Sequence, residues 1–88
     1  MKSKWTQDEA IAFECARECI NDMIGICSSE IADEEEQAHP DQAKIAELEA
    51  RSFALAMERS NLTLKDKKQI AKVRTEYGAW IRNYRNQG

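Results

Sequence analysis

Apolar residues return at every third or fourth position over most of this chain, and this spacing restricts the fold more than any other feature of the sequence. Near the C-terminus the steps are 3, 4, 3 and 4, through Ile70, Val73, Tyr77, Trp80 and Tyr84. Near the N-terminus the same steps connect Phe13, Ala16, Ile20, Met23 and Cys27. Such spacing lines one side of an α-helix and is typical of coiled-coil seams. With no alternating strand pattern beside it, the sequence predicts an all-α fold.

The helix boundaries follow from the few residues that interrupt a helix. The 88 residues include only 3 Gly and 1 Pro, so the helices must be long. We expect one domain over 1–88, with helices over about 7–37, 41–60 and 64–85. Short connections make consecutive helices antiparallel neighbours, which predicts a three-helix antiparallel bundle with one long N-terminal helix.

Three sequence signals mark the starts of these helices. Thr6 is followed three residues later by Glu9, which predicts a capping box at helix 1, with Trp5 as part of a hydrophobic staple. Pro40 ends the first segment and suits the first position of helix 2. Thr63 is the predicted cap of helix 3.

Several sequence features bear on whether helix 1 is continuous. Gly25 weakens a helix by about 1 kcal/mol relative to alanine, and Ser28 and Ser29 could cap a new start. The acidic residues over 33–36 are unfavourable at a helix C-terminus. We expect one long helix, with a kink or break near Gly25 as the alternative.

Helix 2 carries two rows of apolar or small residues. One row comprises Ile45, Leu48, Ser52 and Leu55, and the adjacent one comprises Ala46, Ala50, Phe53, Ala54 and Met57. The alanines lie four residues apart, so a partner helix can approach closely there. Gly78 suggests another close contact on helix 3.

The predicted helices differ in length. Helix 1 would be about 45 Å long and helices 2 and 3 about 30 Å each. This mismatch leaves an apolar overhang, which predicts a homodimer.

Metal chemistry has two candidate residue sets. Cys15 and Cys19 share one side of a helix, but Cys27 lies about 12 Å further along, too far for bonds of about 2.3 Å to one ion. We therefore expect reduced cysteines that act as small apolar residues. Glu36 and His39 have the spacing used in di-iron bundles. Because the chain has a single histidine, we expect a solvated acidic helix end and no metal site.

Catalysis has little support in this sequence. The chain contains neither a Ser-His-Asp arrangement nor a glycine-rich phosphate loop. A bundle of 88 residues also leaves little room for a deep pocket. We expect a protein that is not an enzyme, with no catalytic residue and no cofactor.

The charge distribution suggests two functions. Residues 1–49 carry 4 basic and 13 acidic residues, a net charge of −9, whereas residues 50–88 carry 9 basic and 3 acidic residues, a net charge of +6. The first hypothesis is a small protein that binds another protein. Its predicted contact residues are Trp5, Glu30, Asp33, Glu34, Glu35 and Glu36.

The alternative hypothesis is a regulator that binds nucleic acid. Its predicted contacts are Lys65, Lys67, Lys68, Lys72 and Arg74. The pI near 5.2 argues against it, because dedicated DNA-binding domains are usually basic.

The sequence also predicts where the protein is located. No apolar run is long enough to span a membrane, and the N-terminus lacks the apolar region of a signal peptide. We therefore expect a cytoplasmic protein with no membrane association.

Overall fold

A computed structural model of the chain describes residues 6–87, and these residues form three α-helices. The helices are α1 (Gln7–Glu35), α2 (Gln42–Asn61) and α3 (Lys67–Gln87). The predicted all-α, three-helix bundle is therefore confirmed. None of the three helices has the length and apolarity needed to cross a membrane.

The predicted start of α1 is confirmed in detail. The backbone N–H of Glu9 donates to Thr6 Oγ1 at 3.1 Å, and the backbone N–H of Thr6 donates to Glu9 Oε1 at 3.2 Å. Trp5, the predicted staple residue, lies outside the described residues. The helix then continues through Gly25 without a break. A 29-residue helix is about 43 Å long, so α1 is the long element on which the other two pack.

The connection between α1 and α2 differs from the prediction at Pro40. Asp41 is the N-cap of α2, and its side chain accepts the backbone N–H of Lys44 at 3.1 Å. Pro40 therefore precedes the cap instead of occupying the first helical position. The carboxylate of Glu34 explains this register, because it accepts the backbone N–H of Asp41 at 2.9 Å and lies 3.5 Å from Lys44 Nζ.

The start of α3 is also later than predicted. The backbone carbonyl of Thr63 accepts the N–H of Asp66 at 3.1 Å, which forms a separate turn. The carbonyl of Asp66 then accepts the N–H of Ile70 at 2.9 Å, the first bond of the helical pattern. Thr63 is thus a turn residue and not the helix cap. Buried Leu62 precedes this turn and belongs to the hydrophobic core.

The two shorter helices run in opposite directions along α1. Lys44 of α2 pairs with Glu34 near the end of α1, and Arg59 Nη1 donates to Asn21 Oδ1 at 2.6 Å, so α2 is antiparallel to α1. At the start of α3, Lys67 pairs with Glu9, and near its end Arg85 pairs with Asp22. The third helix is therefore parallel to α1.

The core lies between α1 and the two shorter helices. Its buried residues are Ala16, Ile20, Met23 and Cys27 from α1, Leu55 from α2, Leu62 from the connection, and Ile70, Val73 and Ile81 from α3. The predicted apolar rows of α1 and α3 supply most of these residues. Phe13, Tyr77 and Trp80 are only partly buried against the core.

Helices α2 and α3 do not pack closely against each other. No Cα atom of α2 lies within 8 Å of a Cα atom of α3 in the described chain. Long side chains bridge them instead: Tyr77 Oη donates to Glu58 Oε1 at 2.6 Å, and Gln69 Nε2 donates to Glu58 Oε2 at 2.7 Å. The predicted close contact at Gly78 is wrong, because a Cβ atom there would meet nothing within 4 Å.

Candidate interaction surface

Helix α2 carries apolar residues on two opposite sides. One side packs on α1 and contains Ile45 and Leu55, both buried. The other contains Phe53, whose exposure is 70%, and Met57, whose exposure is 48%. At 3.6 residues per turn these two sides lie about half a turn apart. Packing on α1 therefore hides only one of the two apolar rows predicted for this helix.

We call the exposed row the α2 outward face. It comprises Ala46, Ala50, Phe53, Ala54 and Met57, all of them exposed. This is the row predicted for a close helix partner, and within residues 6–87 no helix covers it. The sequence therefore identified the residues of the face, while their exposure became visible only in the fold.

Polar contacts on the other sides of α2 fix the direction of this face. Arg59 is bonded to Asn21 of α1, and Glu58 accepts hydrogen bonds from two residues of α3. The guanidinium of Arg51 lies over the ring of Trp80, 5.4 Å from its centroid. Arg59 faces α1, whereas Arg51 and Glu58, which lie seven residues apart on one side of the helix, both face α3. Rotation of α2 to bury Phe53 would therefore break all of these contacts.

The predicted acidic contact residues lie where α1 ends and α2 begins. Asp33, Glu35 and Glu36 are exposed, and Glu30 is half-buried. Glu34 differs from them, because it is bonded to Asp41 and Lys44 within the protomer. Four of the five predicted carboxylates therefore remain at an acidic edge beside the first turn of α2, and Trp5 lies outside the described residues.

The predicted basic residues do not form one surface. Lys67 Nζ lies 3.7 Å from Glu9 of α1, and Arg74 occupies the same side of α3 two turns later. Lys68 and Lys72 are exposed on a different side of α3, and Lys65 is exposed in the turn that precedes this helix. Lys67 thus forms an ion pair with an acid of α1. The exposed Lys65, Lys68 and Lys72 form a separate stripe.

The aromatic residues of α3 are packed within the protomer. Trp80 and Tyr84 stack with their ring centroids 5.6 Å apart. Burial and the hydrogen bond to Glu58 raise the pKa of Tyr77 to about 12. The prediction that these residues belong to the packed side of the helix is confirmed in part, since each is half-buried.

The cysteines differ strongly in their exposure. Cys15 is exposed, Cys19 is half-buried and Cys27 is buried. Burial raises the pKa of the Cys19 thiol, and the nearby Asp22 raises it further. Burial likewise raises the pKa of the Cys27 thiol. Since metals bind the thiolate form, these two environments favour the protonated, apolar role that the sequence predicts.

The Glu36–His39 pair, for which the sequence predicts no metal binding, does not lie within a helix. Glu36 and His39 lie in the connection between α1 and α2, so they do not share a helical side. Among residues 6–87, no three His, Cys, Asp or Glu side chains lie close enough together to hold a metal ion.

A second apolar patch, near the start of α1, is absent from the sequence-based predictions. Ile11 is 53% exposed, and beside it lie Ala10, Cys15 and Cys19. A single isoleucine placed opposite the buried row gives a weak sequence signal, because isolated apolar residues are common on protein surfaces. The α2 outward face contains two large exposed apolar side chains, Phe53 and Met57, whereas the α1 patch contains one, Ile11.

Comparisons with known proteins add no functional assignment. No protein-family model matches the chain, and neither the curated proteins nor the solved structures give a match. The surface of the molecule is therefore the source of functional information.

Proposed function

We propose that this chain is a small non-enzymatic interaction protein, an adaptor, inhibitor or regulator that binds another protein through the α2 outward face. The observation that carries the proposal is Phe53, which is 70% exposed on a side of α2 that no other described helix covers. Exposed groups of large apolar side chains are typical of protein-binding surfaces. Covering a phenylalanine or methionine side chain completely is worth about 1.5–3 kcal/mol each.

The spacing of the face indicates how a partner would bind. Ala46, Ala50, Phe53 and Met57 follow steps of 4, 3 and 4 residues. Amphipathic helices that bind in apolar grooves present anchor residues at this spacing. The face therefore fits a partner with an apolar groove or an apolar helix side, in which Phe53 is the central anchor.

The acidic edge gives the contact a preferred charge. Asp33, Glu35 and Glu36 are exposed beside the N-terminal end of α2. Opposite charge across an interface accelerates association and excludes wrong partners. We expect a partner with a basic rim next to its apolar groove. Trp5, which precedes α1 in the sequence, remains a predicted contact residue.

The proposal can be tested by capture of a partner followed by binding measurements with purified components. The immobilised full chain would be compared with Phe53→Glu, which introduces a charge into the face. Thr75→Glu is the matched control, because it introduces the same charge at an exposed polar position of α3. We expect Phe53→Glu to weaken binding of the identified partner by at least about 30-fold. Equal binding by both variants and the wild type would contradict the proposal.

A second candidate function, nucleic-acid binding, is favoured by the stripe of Lys65, Lys68 and Lys72, which are exposed. Phosphate contacts would make such binding fall steeply with salt. Titration of a DNA duplex at low and moderate salt distinguishes the two functions. Salt-sensitive binding that is lost in a Lys68→Glu variant but kept in Phe53→Glu would favour the nucleic-acid function.

A further inference from the structure

We infer that the α2 outward face pairs with the same face of a second copy, with the two α2 helices antiparallel about a two-fold axis. This inference rests on the proposed function, because it names an occupant for the face that the function uses. Two features of the protomer support a second copy: the order of large and small side chains along α2, and the opposite charges at its two ends.

The order of side chains makes the face complementary to itself. In an antiparallel pair with its axis between residues 51 and 52, Phe53 lies at the level of Ala50 of the partner subunit. Met57 then lies at the level of Ala46 of the partner subunit. Each large exposed side chain meets a small one, as close helix packing and a two-fold interface require. A parallel pair would instead place the two Phe53 rings against each other.

The charges at the two ends of α2 favour the same orientation. The N-terminal end lies beside the exposed Asp33, Glu35 and Glu36. The C-terminal end is followed by the exposed Lys65 and Lys68. An antiparallel pair places the acidic end of each copy at the level of the basic end of the other. A parallel pair would place acid beside acid, which is unfavourable.

The size of the face limits the strength of the pair. Stable protein interfaces usually bury about 1,200–2,000 Å² in total. The α2 outward face belongs to a single helix of 20 residues, about 30 Å long, so one helix of each copy would supply the whole contact. We therefore expect an association that depends on concentration. Another protein that binds the face would take the place of the second copy.

The mass of the purified full chain in solution tests this inference. Sedimentation equilibrium over a concentration series should show a mass that rises from 10.1 kDa toward twice that value. Phe53→Glu should raise the dissociation constant at least about 30-fold, whereas Thr75→Glu should associate like the wild type. Circular dichroism would verify that both variants retain the helical content of the wild type.

Three results would overturn the two-fold pair. They are a mass of 10.1 kDa at every concentration, association that continues beyond two copies, and a Phe53→Glu variant that associates as strongly as the wild type. Salt tests the orientation: opposite charges side by side predict a dimer that weakens as salt rises. A dimer that strengthens with salt would mean that like charges adjoin, and it would contradict the antiparallel arrangement.

The proposed function and the pair can fail separately. Sedimentation uses the purified chain alone, so a monomer there leaves any Phe53-dependent capture of another protein intact and removes only the second copy as occupant. A dimer that dissociates in Phe53→Glu, combined with partner binding that is unaffected by the same variant, would keep the pair and reject the proposed function.

Discussion

Helices α2 and α3 have nearly the same length, and both pack on α1, yet they distribute their apolar residues differently. The large apolar and aromatic residues of α3 lie on one side, and each of them is buried or half-buried. Helix α2 has apolar residues on two opposite sides, and Phe53 and Met57 remain exposed. The fold thus buries or half-buries all the large apolar residues of α3, but only three of the five in α2, namely Ile45, Leu48 and Leu55. This difference is the strongest indication that α2, and not α3, carries the contact surface.

The largest expected effect is a difference in the free energy of unfolding between substitutions on the two sides of α2. Leu55→Ala removes a buried side chain and should lower the free energy of unfolding by about 3 kcal/mol. Phe53→Ala removes a larger but exposed side chain and should change it by less than about 0.5 kcal/mol. Urea denaturation at a concentration where the chain is monomeric measures both. A similar loss in the two variants would mean that Phe53 is packed within the protomer, and the comparison would fail.

The next effect concerns the bridge between α2 and α3. Tyr77→Phe removes the hydrogen bond to Glu58 and should cost about 1.5 kcal/mol near neutral pH. Tyr84→Phe is the control, because the Tyr84 hydroxyl has no hydrogen bond to another described residue. An equal loss in both variants would contradict the bridge.

The same bridge has a pH dependence with a defined sign. The pKa of Tyr77 is raised from 10.0 to about 12 in the folded chain, so the unfolded chain releases this proton first as the pH rises. The contribution of Tyr77 to stability is therefore complete below pH 10 and is lost between pH 10 and about pH 12. The stability difference between wild type and Tyr77→Phe should shrink between pH 8 and pH 11 in urea denaturation. A constant difference across that range would show that burial and the hydrogen bond to Glu58 do not raise the pKa of Tyr77 in the folded chain.

A smaller effect, this time a gain of stability, tests the free space around Gly78 of α3. Gly78→Ala adds a methyl group that meets nothing within 4 Å, and it should raise the stability by up to about 1 kcal/mol through helix propensity. Gly25→Ala in α1 has equally open surroundings and serves as the matched variant. Thermal unfolding would reveal both gains. Destabilisation by Gly78→Ala alone would mean that α3 lies closer to another helix than the structure indicates.

The smallest effect is expected at the charged surface of α3. Lys67 is 75% exposed and pairs with Glu9 at 3.7 Å, so Lys67→Ala should cost at most about 0.5 kcal/mol at low salt. Lys68→Ala, on the other exposed side, should cost less. High salt should remove the difference between them, since it screens exposed ion pairs. A loss comparable to that of Leu55→Ala would mean that the charges of α3 stabilise the fold.

Much of the fold follows from local patterns, and particular residues show why. The Thr6–Glu9 capping box joins residues three positions apart, so the sequence contains all the information that it needs. The buried row of α1 follows in the same way from helix periodicity. The two errors in the predicted helix starts lie at the connections between helices. Glu34 sets the register of Asp41 from seven residues away, and a separate turn at Thr63 delays α3.

The sequence predicted the residues of the candidate surface but not their exposure. The row of Ala46, Ala50, Phe53, Ala54 and Met57 is visible in the sequence, but so is the row that contains Ile45 and Leu55. Periodicity treats the two rows alike, because it describes one helix at a time. Their separation required the bonds from Arg59 to Asn21 and from Tyr77 to Glu58, which join residues 38 and 19 positions apart.

The sequence by itself determined that this chain forms three helices, where α1 begins, and which residues can be apolar on each helix. These properties depend on hydrogen bonds and side-chain positions within a few residues of one another. Only the tertiary structure decided which apolar row of α2 is buried, which carboxylate of the acidic edge is bonded within the chain, and which lysines form ion pairs. Those outcomes depend on the distances between residues far apart in the chain, and such distances arise only when the helices pack together.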